Sequence, residues 1–257
     1  MCSFPENNKT FQVLDAAAKG GYSVGAYNCY NDDGVLAVIS AAENCRSPAI
    51  IQLFPWTLRF QGSHFVKYVV EAAHAASVPI ASETNIQKCK EMVKIANAKG
   101  IAVEAEMGRI EGGEDGLPTV DMEAILTQPS LAKAFVQETG VKFLAPAFGN
   151  IHGGYGPRGP EASWRLDLLD DIHRAIPRVP LVLHGTHGVS DELFRTIRGY
   201  GVLKINMNRT VRDDYTDFVA KNAGKLELTA LKTQAVEVYT ASIERVMRHV
   251  LGSAGKA

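Results

Sequence analysis

From residue 23 to residue 206, short apolar runs alternate with longer amphipathic stretches, and this alternation constrains the fold more than any other feature. The runs lie at 23–29, 48–53, 78–81, 101–106, 142–148, 180–184 and 202–206, lengths that suit buried strands. Helical patterns fill the gaps. Val35, Val38, Ala42 and Cys45 share one helical face, as do Phe65, Val69, Ala72 and Ala76. Thr84-Asn85-Ile86-Gln87 has the form of a capping box, and Ile86, Cys89, Val93 and Ala96 continue its apolar face. Ser190, with Asp191 and Glu192 behind it, marks another helix start, and the tail from about Arg212 to Val250 reads as mostly helical. Strand, helix, strand without interruption means an α/β fold with a parallel sheet.

An open doubly wound sheet and a closed barrel both fit that alternation. The polar residues favour the barrel. Nearly every run ends in a ligand-type side chain: Asn28, Gln52, Glu106, His184 and Asn206, with His152 just past the fifth. Barrel active sites gather at the C-terminal ends of several strands, whereas an open sheet concentrates its site at one switch point. The expected architecture is a TIM-type (β/α)8 barrel in one domain, residues 1–257, since no linker or low-complexity segment divides the chain. Yet the strands number about seven where such a barrel needs eight. The run 78–81 is also short and passes straight into Ser82-Glu83-Thr84, with no His or Asp at its end.

Composition narrows the function classes. A formal net charge of −1 asks for neither nucleic acid nor an anionic membrane. No apolar run reaches the roughly 18 residues of a membrane span, and the opening residues carry no apolar signal core. The four cysteines form no Cys-x-x-Cys pair and read as reduced thiols, so a cytoplasmic protein is expected.

Five segments carry chemistry. In Val103-Glu104-Ala105-Glu106-Met107-Gly108, strand alternation puts Glu104 and Glu106 on the same side; read alone, these could equally be solvated acids. Gly112-Gly113-Glu114-Asp115-Gly116 follows. In Gly149-Asn150-Ile151-His152-Gly153-Gly154-Tyr155, glycines around a histidine let the backbone approach an anion. In Leu183-His184-Gly185-Thr186-His187-Gly188, a strand-ending histidine meets a glycine-rich turn before a helix, a phosphate cradle beside a metal ligand. His184 is the functional candidate there, and His187 reads as a loop residue or cap. Lys204-Ile205-Asn206-Met207-Asn208-Arg209-Thr210 could hold phosphate or hydroxyls, or cap a turn. Tyr27-Asn28 and Pro48-Ala49-Ile50-Ile51-Gln52 are the weakest, a polar pair inside the barrel being the plainer reading.

Together these segments resemble the class II fructose-bisphosphate aldolase family from about residue 10 to the end, with one break at residues 81–83. The resemblance implies that His152 and His184 are two of three histidines holding a catalytic zinc, and that Glu106 contacts a second or alternative zinc position. It places Gly153, Gly185, Thr186, His187, Asn206, Met207, Asn208 and Arg209 in the segments that bind dihydroxyacetone phosphate, with Asn28 and Gln52 as further substrate contacts. Glu114 and Asp115 lie in the family's acidic loop associated with proton transfer. The implied chemistry is aldol cleavage of a ketose 1,6-bisphosphate: zinc polarises the ketone, and a carboxylic acid moves the proton of the adjacent hydroxyl.

The departures fall at the break. The family's third strand ends in His-x-Asp-His, whose Asp is the acid/base and whose second His is the third zinc ligand; that segment is missing here, with the helix and strand that follow it. About 250 residues over eight units is roughly 31 per unit, so one lost unit accounts for seven strands. Phe54 stands where a serine is usual, His187 replaces another serine, and Asn208-Arg209-Thr210 replaces Asp-Thr-Asp. The expectation is an impaired zinc aldolase, assembling as a homodimer or higher homo-oligomer. The rival is a non-catalytic paralogue or isoform that binds sugar phosphate or joins full-length subunits.

Overall fold

The structure, a computed structural model, describes residues 5–84, 90–108, 126–155 and 157–257, without the side chains at 82–84 and 90–92. Among the described residues seven parallel strands alternate with helices, as a (β/α)8 chain short of one β/α unit requires. The chain divides into two compact units, each discontinuous in sequence.

One unit comprises Met1–Ser23 and Ile86–Asn206. Its helices are α1 (Lys9–Gly20), α4 (Lys90–Ala98), α5 (Pro129–Thr139), α6 (Leu166–Ala175) and α7 (Asp191–Ile197). Its strands are β4 (Glu104–Met107), β5 (Phe143–Pro146), β6 (Leu181–Leu183) and β7 (Val202–Met207) through Asn206, ordered β7-β6-β5-β4. Phe143, Leu144, Leu181, Val182 and Leu183 are fully buried, and Leu169 and Ile172 of α6 are buried with them. Burying each such side chain stabilises the fold by about 1.5–3 kcal/mol. Ser190 caps α7 as expected: its hydroxyl accepts from Leu193 N at 3.2 Å. Between β6 and β7 the register slips, Leu181 facing Val202 but Val182 facing Lys204. The extra residue on β7 sets which side chains share a side, because a one-residue shift inverts every side chain in a strand.

The other unit comprises Val24–Asn85 and Met207–Ala257. Strands β1 (Val24–Asn28), β2 (Ala49–Leu53) and β3 (Ile80–Thr84) pair in the order β3-β2-β1. Helices α2 (Asp32–Cys45), α3 (Pro55–Ala75), α8 (Arg209–Asn222) and α9 (Leu228–Val246) complete it. Val35, Val38, Ala42 and Cys45 are all buried, as their spacing predicts, and α2 packs against α9. Phe65, Val69, Ala72 and Ala76 are only partly the inward face of α3. Val69 and Ala73 are buried, Phe65 and Ala72 are half-buried, and Ala76 lies past the helix end. The helix starts earlier than that pattern suggests, with Pro55 at its first position, and breaks at Gly62, whose φ of 74° a side chain would resist.

The expected strand 78–81 begins at Ile80 and pairs through to Leu53↔Thr84, so Ser82-Glu83-Thr84 belong to the strand. Most of the expected capping box, with Ile86 and Cys89, lies outside the described residues, while Val93 and Ala96 are buried as expected. Among the described residues no helix is long and apolar enough to cross a membrane, and Cys29 and Cys45 are free, buried thiols.

Candidate active site

Three elements of the first unit deliver ligand-type side chains to one place. Strand β4 carries Glu104 and Glu106 on one side, two residues apart. Strand β6 ends at Leu183 and presents His184 as the next residue. The segment after β5 supplies His152. One ligand atom from each of Glu106, His152 and His184 lies within 4.8 Å of the others, and the two imidazole rings sit 5.9 Å apart.

Hydrogen bonds fix the backbone around them. Asn150, nearly fully buried, accepts from Phe148 N at 2.9 Å and donates to the His184 carbonyl at 3.1 Å. The Tyr155 hydroxyl donates to the Gly185 carbonyl at 2.7 Å and accepts from Ile151 N and Trp164 Nε1. Gly185 has φ 74°, and a Cβ there would collide with the Ile151 backbone. Only glycine lets the two segments approach so closely. Thr186 donates to the Asn206 carbonyl at 2.8 Å, tying the turn after β6 to the end of β7.

The His184 ring is held from both sides. Nδ1 meets Glu106 Oε2 and Nε2 meets Glu104 Oε1, each at 2.9 Å. The second oxygen of Glu104 takes the Lys204 ammonium at 2.6 Å, and that ammonium also donates to Asn206 Oδ1 at 3.0 Å. Burial opposes the charged form of Glu104, but Lys204 and His184 outweigh it and hold its carboxyl below the usual carboxylate range. Burial likewise opposes charge on His184, and the two carboxylates outweigh it, raising the imidazole to about 9.

Two imidazoles and a carboxylate suit a divalent transition metal. Nδ1 of His152 is buried without a hydrogen-bond partner among the described residues, as a nitrogen awaiting a ligand would be. Both observations fit a metal held by His152, His184 and Glu106.

The other expected site residues fall as follows. Gly153 is exposed with φ 106°, Gly185 and Thr186 are buried, and His187 is half-buried. Asn206 ends the first unit at Lys204 and Thr186. In the second unit, Asn28 and Gln52 are register partners on β1 and β2, and Gln52 is buried. Met207 is buried, Asn208 Oδ1 accepts from the Tyr30 hydroxyl at 3.2 Å, and Arg209 pairs with Asp213 at 3.0 Å. Glu114 and Asp115 lie outside the described residues. Sequence reasoning gave no role to Glu104, Lys204, Asn150 or Tyr155, though all four stand inside the motifs it singled out. The two-residue spacing of Glu104 from Glu106 was the available signal.

Comparison with known proteins agrees with this geometry. The profile of the family described as Fructose-bisphosphate aldolase class-II matches residues 8–84 and 81–256, two segments that meet at the sequence break. A putative fructose-bisphosphate aldolase from Coccidioides immitis (strain RS) is 37% identical, covering 98% of this chain and 96% of its own. That alignment runs over 293 positions, more than the 257 residues of this chain. A fructose-bisphosphate aldolase from Thermus caldophilus is 31% identical over 83% of this chain and 87% of its own. The crystal structure of a putative fructose-1,6-bisphosphate aldolase from Coccidioides immitis superposes with a TM-score of 0.88 at 37% identity, covering 98% of each chain. The YdjI aldolase of Escherichia coli K12, 23% identical with a TM-score of 0.80 over 96% of this chain and 97% of its own, shares the fold. By sequence, by structure and by the cluster at the ends of β4, β5 and β6, this chain is a member of the class II fructose-bisphosphate aldolase family of enzymes.

Proposed function

We propose that this chain, acting as a single domain, is a zinc-dependent aldolase for a ketose 1,6-bisphosphate, fructose 1,6-bisphosphate first, and that it turns over slowly. The observation that carries this is the convergence of His152, His184 and Glu106. Bound there, zinc supplies Lewis-acid stabilisation of negative charge on the substrate's ketone oxygen. The protein's own contribution is to hold substrate. The turn at Gly185, Thr186 and His187, with Gly153 and Asn206, offers backbone N–H groups and an amide to the phosphate and hydroxyls of dihydroxyacetone phosphate. On the family's pattern, Asn28, Gln52, Met207, Asn208 and Arg209 are further substrate contacts, and Glu114 and Asp115 take part in proton transfer.

Slow turnover follows from the missing His-x-Asp-His, which removes one imidazole ligand and the acid/base. A positioned acid/base is worth about 10²–10⁴-fold. That loss also supports a second reading, a non-catalytic member that binds sugar phosphate or assembles with full-length subunits. We further propose a homodimer or larger homo-oligomer: among the described residues β3 and β4 stand at the two ends of the strand order, and a sheet edge can pair with another chain.

Isothermal titration with zinc, on the native chain and on His184→Ala, tests the metal assignment. The native chain is expected to bind one zinc and the variant none. Equal binding by both removes the reading.

A further inference from the structure

Lys204 is a lysine with no exposed side-chain surface, at a depth where an ammonium is tolerated only if its charge is matched. The match is Glu104, 2.6 Å from the ammonium, with Asn206 Oδ1 at 3.0 Å. Replacing such a pair by apolar residues is often neutral or stabilising, so stability is a weak reason for it. Its geometry suggests another role. Glu104 has two oxygens and both are occupied, Oε2 by Lys204 and Oε1 by Nε2 of His184. Glu106, two residues on and on the same side, pairs with no lysine among the described residues, is exposed, and meets Nδ1 of the same ring. The two acids of Glu-Ala-Glu therefore differ in what they can do.

We propose that Glu104 and Lys204 form a positioning pair that fixes the proton of His184 on Nε2 and turns Nδ1 toward the metal, while keeping Glu104 itself from ligating. This rests on the metal assignment above and deepens it. A ring nitrogen that donates to a carboxylate fixes tautomer and orientation and makes the opposite nitrogen a better donor, and loss of such a partner weakens metal binding by about 10–100-fold. Lys204 keeps Glu104 in place: with one oxygen tethered by the ammonium, the other faces Nε2. The register slip between β6 and β7 puts Lys204 opposite Val182, on the side it shares with Asn206.

The test uses the full chain, zinc alone as the probe, and no turnover. Long-range nitrogen–proton NMR of the zinc-loaded protein, with histidine labelled, reads which nitrogen of His184 carries the proton. The expected result is a proton on Nε2 and none on Nδ1; zinc on Nε2 overturns the proposal. Glu104→Gln and Lys204→Met are each expected to weaken the zinc Kd about 10–100-fold, with His152 keeping its protonation pattern. If Lys204→Met does not fold, the double variant Glu104→Gln/Lys204→Met removes both charges together, and a Kd within threefold of native overturns the proposal. Failure of the metal assignment looks different: His184→Ala would then bind zinc as the native chain does.

Discussion

Single atoms decide whether this site can form, and Gly185 is the clearest case. Its positive φ and its contact with the Ile151 backbone leave no room for a methyl group. Gly185→Ala is expected to destabilise the chain by about 1–3 kcal/mol and to weaken zinc binding, since His184 is the preceding residue. Urea denaturation and zinc titration on one preparation check both effects. At Cys29, burial pushes the thiol from an ordinary 9 to about 12. A raised pKa means that the folded chain resists ionisation. This contribution is thus fully present below pH 9 and is lost as pH climbs from 9 towards 12, by about 1.4 kcal/mol per unit. Cys29→Ala should flatten that part of the stability curve. An unchanged slope above pH 9 would show that the thiol is not the group responsible. Native Cys29 should also resist iodoacetamide at pH 8 and react once unfolded, which peptide mass mapping reads directly.

Secondary elements were largely legible in the sequence because two-fold and 3.6-fold periodicities survive any packing detail. Each of the seven apolar runs overlaps a strand, and Ser190 starts α7 as its flanking acids indicate. Replacing Ser190 by Ala is expected to lower stability by about 1 kcal/mol, and slightly more because its hydroxyl also donates to Glu161 at 2.8 Å; thermal melting tests this. Boundaries were less legible where pairing overrides pattern. Strand β3 extends to Thr84 because β2 offers partners as far as Leu53. The start of α3 was missed although Pro55 marks it, since apolar spacing alone points to the half of the helix after Gly62. At the site, alternation predicted that Glu104 and Glu106 share a side, and His184 meets both. Their different partners could not be read, because Lys204 lies 100 residues away along the chain and reaches Glu104 only through the β-sheet.

For the molecule as a whole, the decisive fact is a strand–helix alternation one unit short of eight. The break falls at residues 81–83, within β3, where the family profile's two matches meet. The candidate metal ligands beyond the break, Glu106, His152 and His184, lie within reach of one another. The His-x-Asp-His that would supply a third imidazole and the acid/base is absent from the sequence. Binding and turnover are therefore expected to separate: the proposed metal and phosphate residues remain in the chain, whereas the aspartate of His-x-Asp-His is missing and the proposed proton transfer is left to Glu114 and Asp115. The most direct measurement is the rate of fructose 1,6-bisphosphate cleavage, coupled to triose phosphate detection with zinc present. It compares this chain with a version in which a family His-x-Asp-His β/α unit is inserted at residues 81–83. The account predicts that the restored chain is faster by at least about 10²-fold, and that the short chain still binds zinc. Equal turnover by the two chains would contradict it, because the acid/base would then lie among residues the short chain already has.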